Sequence, residues 1–208
     1  MNDFILGLDF DNTIVTYDGV FHRVAREKGL IPADTGRGKD AVRDYLRSIG
    51  REDDWTSLQG EIYGARMELA AIYEGGIETI CRLSASGMKL RIISHKTRFP
   101  FLGPRYDLHE AARGFLLQQG MIGAGPAILQ PSDVFFELTI EDKLARIETE
   151  KCTVFLDDLP EILNHPKFPK NVRRLLFDPQ EMHMGQRHLE RIRTWRELPS
   201  LLAGDNRI

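Results

Sequence analysis

Cysteine is nearly absent from this chain: Cys81 and Cys152 are the only two in 208 residues. That scarcity excludes a disulfide framework or a Cys-rich zinc site, and each sits in apolar surroundings, where a reduced cysteine behaves as a small hydrophobe. No apolar run approaches the roughly 20 residues needed to cross a bilayer, and the amino-terminal stretch lacks the basic-then-apolar pattern of a signal peptide. Positive charge is not in excess either, since 28 Lys and Arg face 31 Asp and Glu for a net charge of -3. Without a broad positive field, neither nucleic acid nor an anionic membrane is an expected partner, and the chain is expected to be cytoplasmic. Repeats and low-complexity segments are missing as well. Hydrophobic residues at 42% and charged residues at 28% are the balance of an ordinary globular chain that folds by itself.

Short apolar runs rich in β-formers are present, and they alternate with helical periodicity. The runs are Phe4 to Phe10, Leu90 to Ser94, Val134 to Leu138, Thr153 to Leu156 and Val172 to Phe177. Between them, helices are predicted over Ile77 to Ser86, Leu108 to Gln119 and Ile140 to Glu150, with a short one after Asp158 and a last amphipathic one from His188 to Leu202. Such alternation predicts an α/β fold with a mostly parallel sheet.

One connection breaks the rhythm. The stretch Tyr17 to Glu74 is far longer than an ordinary loop and must fold as something of its own. Val20, Phe21, Val24 and Ala25 end at Gly29; Val42, Tyr45, Leu46 and Ile49 end at Gly50. Trp55, Leu58, Ile62, Leu69 and Ile72 then follow near a 3.6 period after Asp53 and Asp54 as N-caps, predicting a third helical element.

The first apolar run ends in Asp9-Phe10-Asp11-Asn12-Thr13. Residues two apart in a strand face the same side, so two carboxylates would project together and repel. Both can stay ionised only if a metal or a basic side chain offsets them, and otherwise one pKa rises; Mg²⁺, which prefers hard oxygen ligands, suits such a pair. Further charged groups stand at other strand ends: Ser94 closes one run, Asp157 and Asp158 close another, and Lys143 lies in the first turn of a helix after a fourth. In open α/β sheets the carboxyl ends of the strands line the ligand crevice, so these groups can converge.

In that order these residues resemble the four motifs of the haloacid dehalogenase (HAD) superfamily of phosphotransferases. Asp9 to Thr13 matches its D-x-D-x-T motif, Ser94 the second, Lys143 the third and the Asp157-Asp158 pair the acidic fourth. The resemblance implies a three-layer, Rossmann-like core built from residues 1–16 and 75–208, with an α-helical cap domain at 17–74. It implies a Mg²⁺-dependent phosphatase for a small phosphorylated metabolite. Asp9 would be the nucleophile that forms an aspartyl-phosphate, and Asp11 the acid and base. Mg²⁺ would bind Asp9, the backbone carbonyl of Asp11 and one acid of the Asp157-Asp158 pair. Asp158 is favoured as that ligand, with Asp157 partnering Lys143, and the reverse stays open. Ser94 would donate to a phosphoryl oxygen, and Thr13 would fix the turn. A phosphomutase, or a noncatalytic module on the same fold, are the alternatives.

Each motif also has a plainer explanation. The Asp-Asn-Thr cluster makes good turns, Thr139-Ile140-Glu141-Asp142 and Asp158 to Glu161 read as capping boxes, and lone lysines are usually solvated. Beside Ser94, the cluster His95, Lys96, Arg98 and Arg105 is either a grip for an anionic group or a solvated loop. His22, Arg23, Arg26 and Arg43 read as solvated helix faces, and His183 and His188 lack metal-ligand neighbours.

Overall fold

The computed structural model describes residues 4–123 and 128–203. In chain order, strands β1 (Ile5–Leu8) and β2 (Val15–Thr16) precede helices α1 (Val20–Glu27), α2 (Lys39–Ser48) and α3 (Glu52–Tyr63), and strand β3 (Ala71–Ile72) pairs with β2. There follow α4 (Gly76–Ala85), β4 (Lys89–His95), α5 (Leu108–Gln118), β5 (Val134–Glu137), α6 (Ile140–Thr149), β6 (Val154–Asp157), α7 (Pro160–Leu163), β7 (Arg173–Phe177), β8 (Glu190–Ile192) and α8 (Leu198–Ala203). Two compact units result: one takes Met1–Val15, Ile72–His95 and Gly120–Ile208, the other Thr16–Ala71 and Lys96–Gln119.

In the first unit six strands form one sheet in the order β5-β4-β1-β6-β7-β8, with every adjacent pair parallel. β1 and β6 are buried along their whole length, as strands covered on both faces by helices are. On one face Ile5, Ile93, Phe155 and Leu176 pack with Leu144 and Ile147 of α6 and with Ile162 and Leu163 of α7. Strand alternation turns Leu6, Leu8, Leu156 and Leu175, all fully buried, to the other face. There the Phe177 ring lies 4.8 Å from Tyr73 and 6.0 Å from Trp195. Because β1 lies between β4 and β6, the ends of three strands carrying polar residues stand side by side.

The second unit has its own aromatic core. Phe21 of α1 is fully buried, with Trp55 at 5.2 Å and Tyr63 at 5.8 Å between ring centroids. Its extent differs from the expected 17–74, because residues 96–119 cluster with it. The reason lies on α3. A Cβ at Gly60 would stand 2.6 Å from Pro100, and one at Gly64 2.5 Å from Tyr106, so these two glycines let the later segment lie against the helix.

Two helix predictions are corrected. The Trp55 to Ile72 stripe is not one helix: α3 stops at Tyr63, and Met67–Leu69 form a 3-10 turn before β3. Arg51, not Asp53 or Asp54, takes the N-cap position, and both acids fall in the first turn. The stretch from His188 to Leu202 begins as β8, which pairs Leu175 with Glu190 and Phe177 with Ile192, and helix resumes only after Thr194. The open edge of β7 wins over helical periodicity there, and Arg173 ion-pairs with Glu190 across the two strands. Among the described residues no helix is long and apolar enough to cross a membrane.

Candidate active site at the strand ends

The first strand hands its last residues to a tight turn. Asp9 still rides the sheet, its N–H donating to the Leu156 carbonyl at 2.9 Å. The Phe10 carbonyl then accepts from the N–H groups of Ile14 and Val15 at 3.1 and 3.0 Å, which reverses the chain. Such a reversal needs one residue in the left-handed region, and Asn12 supplies it with φ 57°. Asparagine tolerates that conformation better than most side chains, which gives Asn12 a reason to stand between the acids and Thr13. The indole of Trp195 donates to the Thr13 carbonyl at 3.1 Å and pins the turn from behind.

Lys143 of α6 organises the site. Its Nζ donates to Asp9 Oδ1 and to Asp157 Oδ2, both at 2.6 Å, and the lysine is only 1% exposed. Ser94, at the end of β4, donates from its hydroxyl to the same Asp9 Oδ1 at 2.8 Å. Asp157 Oδ1 accepts from the Leu159 N–H at 3.0 Å. Asp158 Oδ1 accepts from the Thr13 hydroxyl at 3.2 Å, although 145 residues separate them. Both oxygens of Asp157 are thus engaged by the protein, while the bonds to Asp9 and Asp158 fall on one oxygen of each.

Three buried or half-buried carboxylates around one ammonium leave two negative charges in a place where charge is costly. Burial pushes the Asp9 carboxyl up to about 7, against the opposing pull of Lys143, and Asp157 and Asp11 add to the rise. Burial also raises Asp158 well above the ordinary carboxylate range, with the charges of Asp157 and Asp9 adding to it. Lys143 is raised as well: burial alone would lower it, but the charges of Asp157 and Asp9 outweigh that and hold the ammonium charged.

One oxygen from each of Asp9, Asp157 and Asp158 lies within 4.8 Å of the others, a spacing that lets them share one ion. A divalent cation carries the charge the cluster lacks, and an all-oxygen donor set is the chemistry Mg²⁺ prefers. Because Asp157 is spent on Lys143 and Leu159, the open oxygens belong to Asp9 and Asp158. The Asp11 carboxylate stands outside that trio and is half-buried.

The neighbouring predicted residues have contacts of their own. His95 is exposed, with Nε2 3.2 Å from the Leu138 carbonyl. Lys96 and Arg98 belong to the second unit. There Arg98 ion-pairs with Asp107 at 2.9 Å, and Asp107 caps α5 by accepting from the N–H groups of His109 and Glu110. The solvated-lysine reading fails for Lys143, whereas Thr139 does cap α6, accepting from the Asp142 N–H at 3.0 Å. Asp158 is not the cap of α7: Leu159 holds that position, with Pro160 following as first helical residue. Neither the part of Trp195 nor the Thr13–Asp158 bond was foreseen in detail; a tryptophan far from every motif is a weak signal.

No family model matches the chain, and no curated protein matches it. Solved structures do. A predicted phosphatase from Clostridium acetobutylicum has 12% identity, a TM-score of 0.59 and coverage of 97% of this chain and 98% of its own. The HAD-hydrolase YfnB of Bacillus subtilis, solved bound to magnesium, has 13% identity, a TM-score of 0.54 and coverage of 96% and 98%. A dehalogenase has 14% identity, a TM-score of 0.58 and coverage of 97% and 98%. The fold is therefore that of the HAD superfamily, and it carries an acidic cluster at its strand ends.

Proposed function

We propose that this protein is a Mg²⁺-dependent phosphatase that hydrolyses a small phosphorylated metabolite through an aspartyl-phosphate. The observation that carries this reading is the posture of Asp9: Ser94 and Lys143 both hold Oδ1, which leaves Oδ2 available to attack. A carboxylate fixed in one orientation loses little further freedom on reaching phosphorus, and phosphoryl transfer depends chiefly on positioning and charge.

Asp9 Oδ2 forms a bond to phosphorus as the bond to the leaving oxygen breaks, and Asp11 gives that oxygen its proton. Asp11, now ionised, takes a proton from water, whose oxygen attacks the same phosphorus and releases Asp9 and inorganic phosphate. Lys143 holds its ammonium against Asp9 throughout, so the negative charge gathered there stays balanced. The Ser94 hydroxyl orients Asp9 and would donate to a phosphoryl oxygen of the bound substrate. Bound at Asp9 and Asp158, with the Asp11 carbonyl, Mg²⁺ would neutralise phosphoryl charge. The second unit would act as a cap that excludes water and sets specificity.

A dehalogenase shares this fold, so fold alone does not choose between them. Asp11 favours phosphate chemistry, because an alkoxide leaving group needs a proton and a halide does not. The test is a panel of phosphomonoesters with Mg²⁺ and with a chelator. Turnover that needs the metal and falls at least about a thousandfold in Asp9→Asn supports the reading. Near-normal activity in that variant, or halide release without phosphatase activity, overturns it, and phosphate reappearing on a second hydroxyl instead of in solution marks a mutase.

A further inference from the structure

We propose that Trp195 is a positioning residue for the cation of the strand-end cluster: it acts through Thr13 on Asp158 and so raises the affinity of the site for Mg²⁺. The inference rests on the Mg²⁺ reading above, and every residue in it belongs to the sheet unit. Thr13 has two polar ends, and both are held. Its hydroxyl donates to Asp158 Oδ1 at 3.2 Å, and its carbonyl accepts from the Trp195 indole N–H at 3.1 Å. One short residue thus joins a carboxylate of the cluster to a ring near the carboxyl end of the chain.

The ring is itself held on separate sides. Trp195 is fully buried, its centroid 6.0 Å from that of Phe177 on β7, and its carbonyl accepts from the hydroxyl of Thr79, a buried residue of α4, at 3.2 Å. The indole Cε2 and Nε1 lie 3.7 Å from the place a Cβ on Gly76 would take, so the ring rests against the first residue of α4 as well. An indole carries one donor, fixed in the plane of a rigid ring, so holding the ring aims the N–H.

Thr13 is fully buried, and among the described residues no other group donates to its carbonyl. Without the indole that oxygen would be a buried acceptor with no partner, a state the backbone avoids by rotating. The turn offers little resistance, because Asn12 beside it already lies in the left-handed region, which asparagine tolerates without favouring. Rotation of the Thr13–Ile14 peptide would carry the Thr13 hydroxyl away from Asp158 and free that carboxylate to turn. Groups that orient a metal ligand change metal affinity by about 10–100-fold. Trp195 stands one residue beyond such a group, which places its effect at the lower end, about tenfold.

The experiment titrates Mg²⁺ by calorimetry into the full chain and its Trp195→Phe, Thr13→Val and doubly substituted variants, with thermal melts to verify folding. Phenylalanine keeps an aromatic ring and removes the donor. Val172→Ala, which thins the hydrophobic cluster on the other face of the sheet, serves as a control for lost stability alone. Affinity about tenfold weaker in Trp195→Phe and unchanged in Val172→Ala supports the inference. If Trp195 acts through Thr13, the double variant should bind within about twofold of the weaker single one. Parent-like affinity in Trp195→Phe, an equal loss in Val172→Ala, or losses that multiply in the double variant each overturn the inference alone. No Mg²⁺ binding by the unmodified chain overturns it together with the metal reading. In a kinetic arm, saturating Mg²⁺ should restore kcat in Trp195→Phe to within about twofold of the parent, and a kcat that stays low counts against a role through the metal. Failure of the unmodified chain to hydrolyse any phosphomonoester would sink the phosphatase reading alone, since the titrations still decide the part of Trp195.

Discussion

Two sites held by ion pairs of nearly equal length do different work in this molecule. Lys143 meets Asp9 and Asp157 at 2.6 Å, with side chains 2%, 6% and 0% exposed. Arg47 meets Glu52 at 2.7 Å in the second unit, with both side chains about half exposed at 51% and 53%. Distance does not separate them; water does. At the helix surface solvent already satisfies both charges, whereas in the strand-end site each group depends on the others for nearly all of its compensation. The contrast teaches that length does not set what a pair is worth: the strand-end cluster is buried and its members depend on one another, whereas Arg47–Glu52 shares its charges with solvent.

The sharpest way to break that contrast is Lys143→Met. Removing the ammonium leaves Asp9 and Asp157 buried without their cation, and loss of one partner from such a group costs about 3–5 kcal/mol. Chemical denaturation should show that loss, and turnover should vanish with it; a variant as stable as the parent would refute the assigned role of burial.

Next in size is the effect of pH on the metal-free protein. Folding raises the Asp9 carboxyl to about 7, and raises Asp158 as well, so the folded state binds protons more tightly than the unfolded chain. That contribution to stability is complete below the ordinary carboxylate range and is lost as pH rises through about 7. Melting temperatures measured with a chelator should therefore fall between pH 5 and 8, and excess Mg²⁺ should reduce the fall. A flat profile in the chelator would show that the acids carry no such penalty.

Thr13→Val is expected to have a smaller effect. It deletes the hydroxyl that holds Asp158, with a stability cost of about 1 kcal/mol, and should weaken Mg²⁺ binding about tenfold by freeing that carboxylate. Calorimetric titration of the metal checks it. Smallest of all, Arg47→Gln should leave the melting temperature unchanged within error, because solvent replaces what the pair supplied.

Strand ends were the most readable part of the chain. Runs such as Phe-Ile-Leu-Gly-Leu and Val-Phe-Leu announce buried parallel strands, and a polar residue following them has few places to go except the crevice. Asp9, Ser94, Lys143, Asp157 and Asp158 could be picked out for that reason. What Lys143 bonds to was legible only in outline, since partners 134 and 14 residues away are chosen by packing of α6 on the sheet. The C-terminal stretch was misread because Leu189, Ile192 and Trp195 satisfy a helical period as well as a strand followed by a turn; the free edge of β7 decides the matter and leaves no local trace. Residues 96–119 gave no hint that they cluster with the early helices, because the cause is two small residues, Gly60 and Gly64, on a distant helix. The ion pair of Arg98 with Asp107 was equally out of sight in the sequence.

Thr13 is grasped by Asp158 through its hydroxyl and by Trp195 through its carbonyl, 145 and 182 positions later. During synthesis the turn that follows Asp9 is made well before both of its braces and waits for them. A nascent chain halted before residue 195 would hold Asp9 without the full support of its turn, so this corner of the strand-end cluster is completed in one step, when Trp195 arrives, instead of building up by degrees.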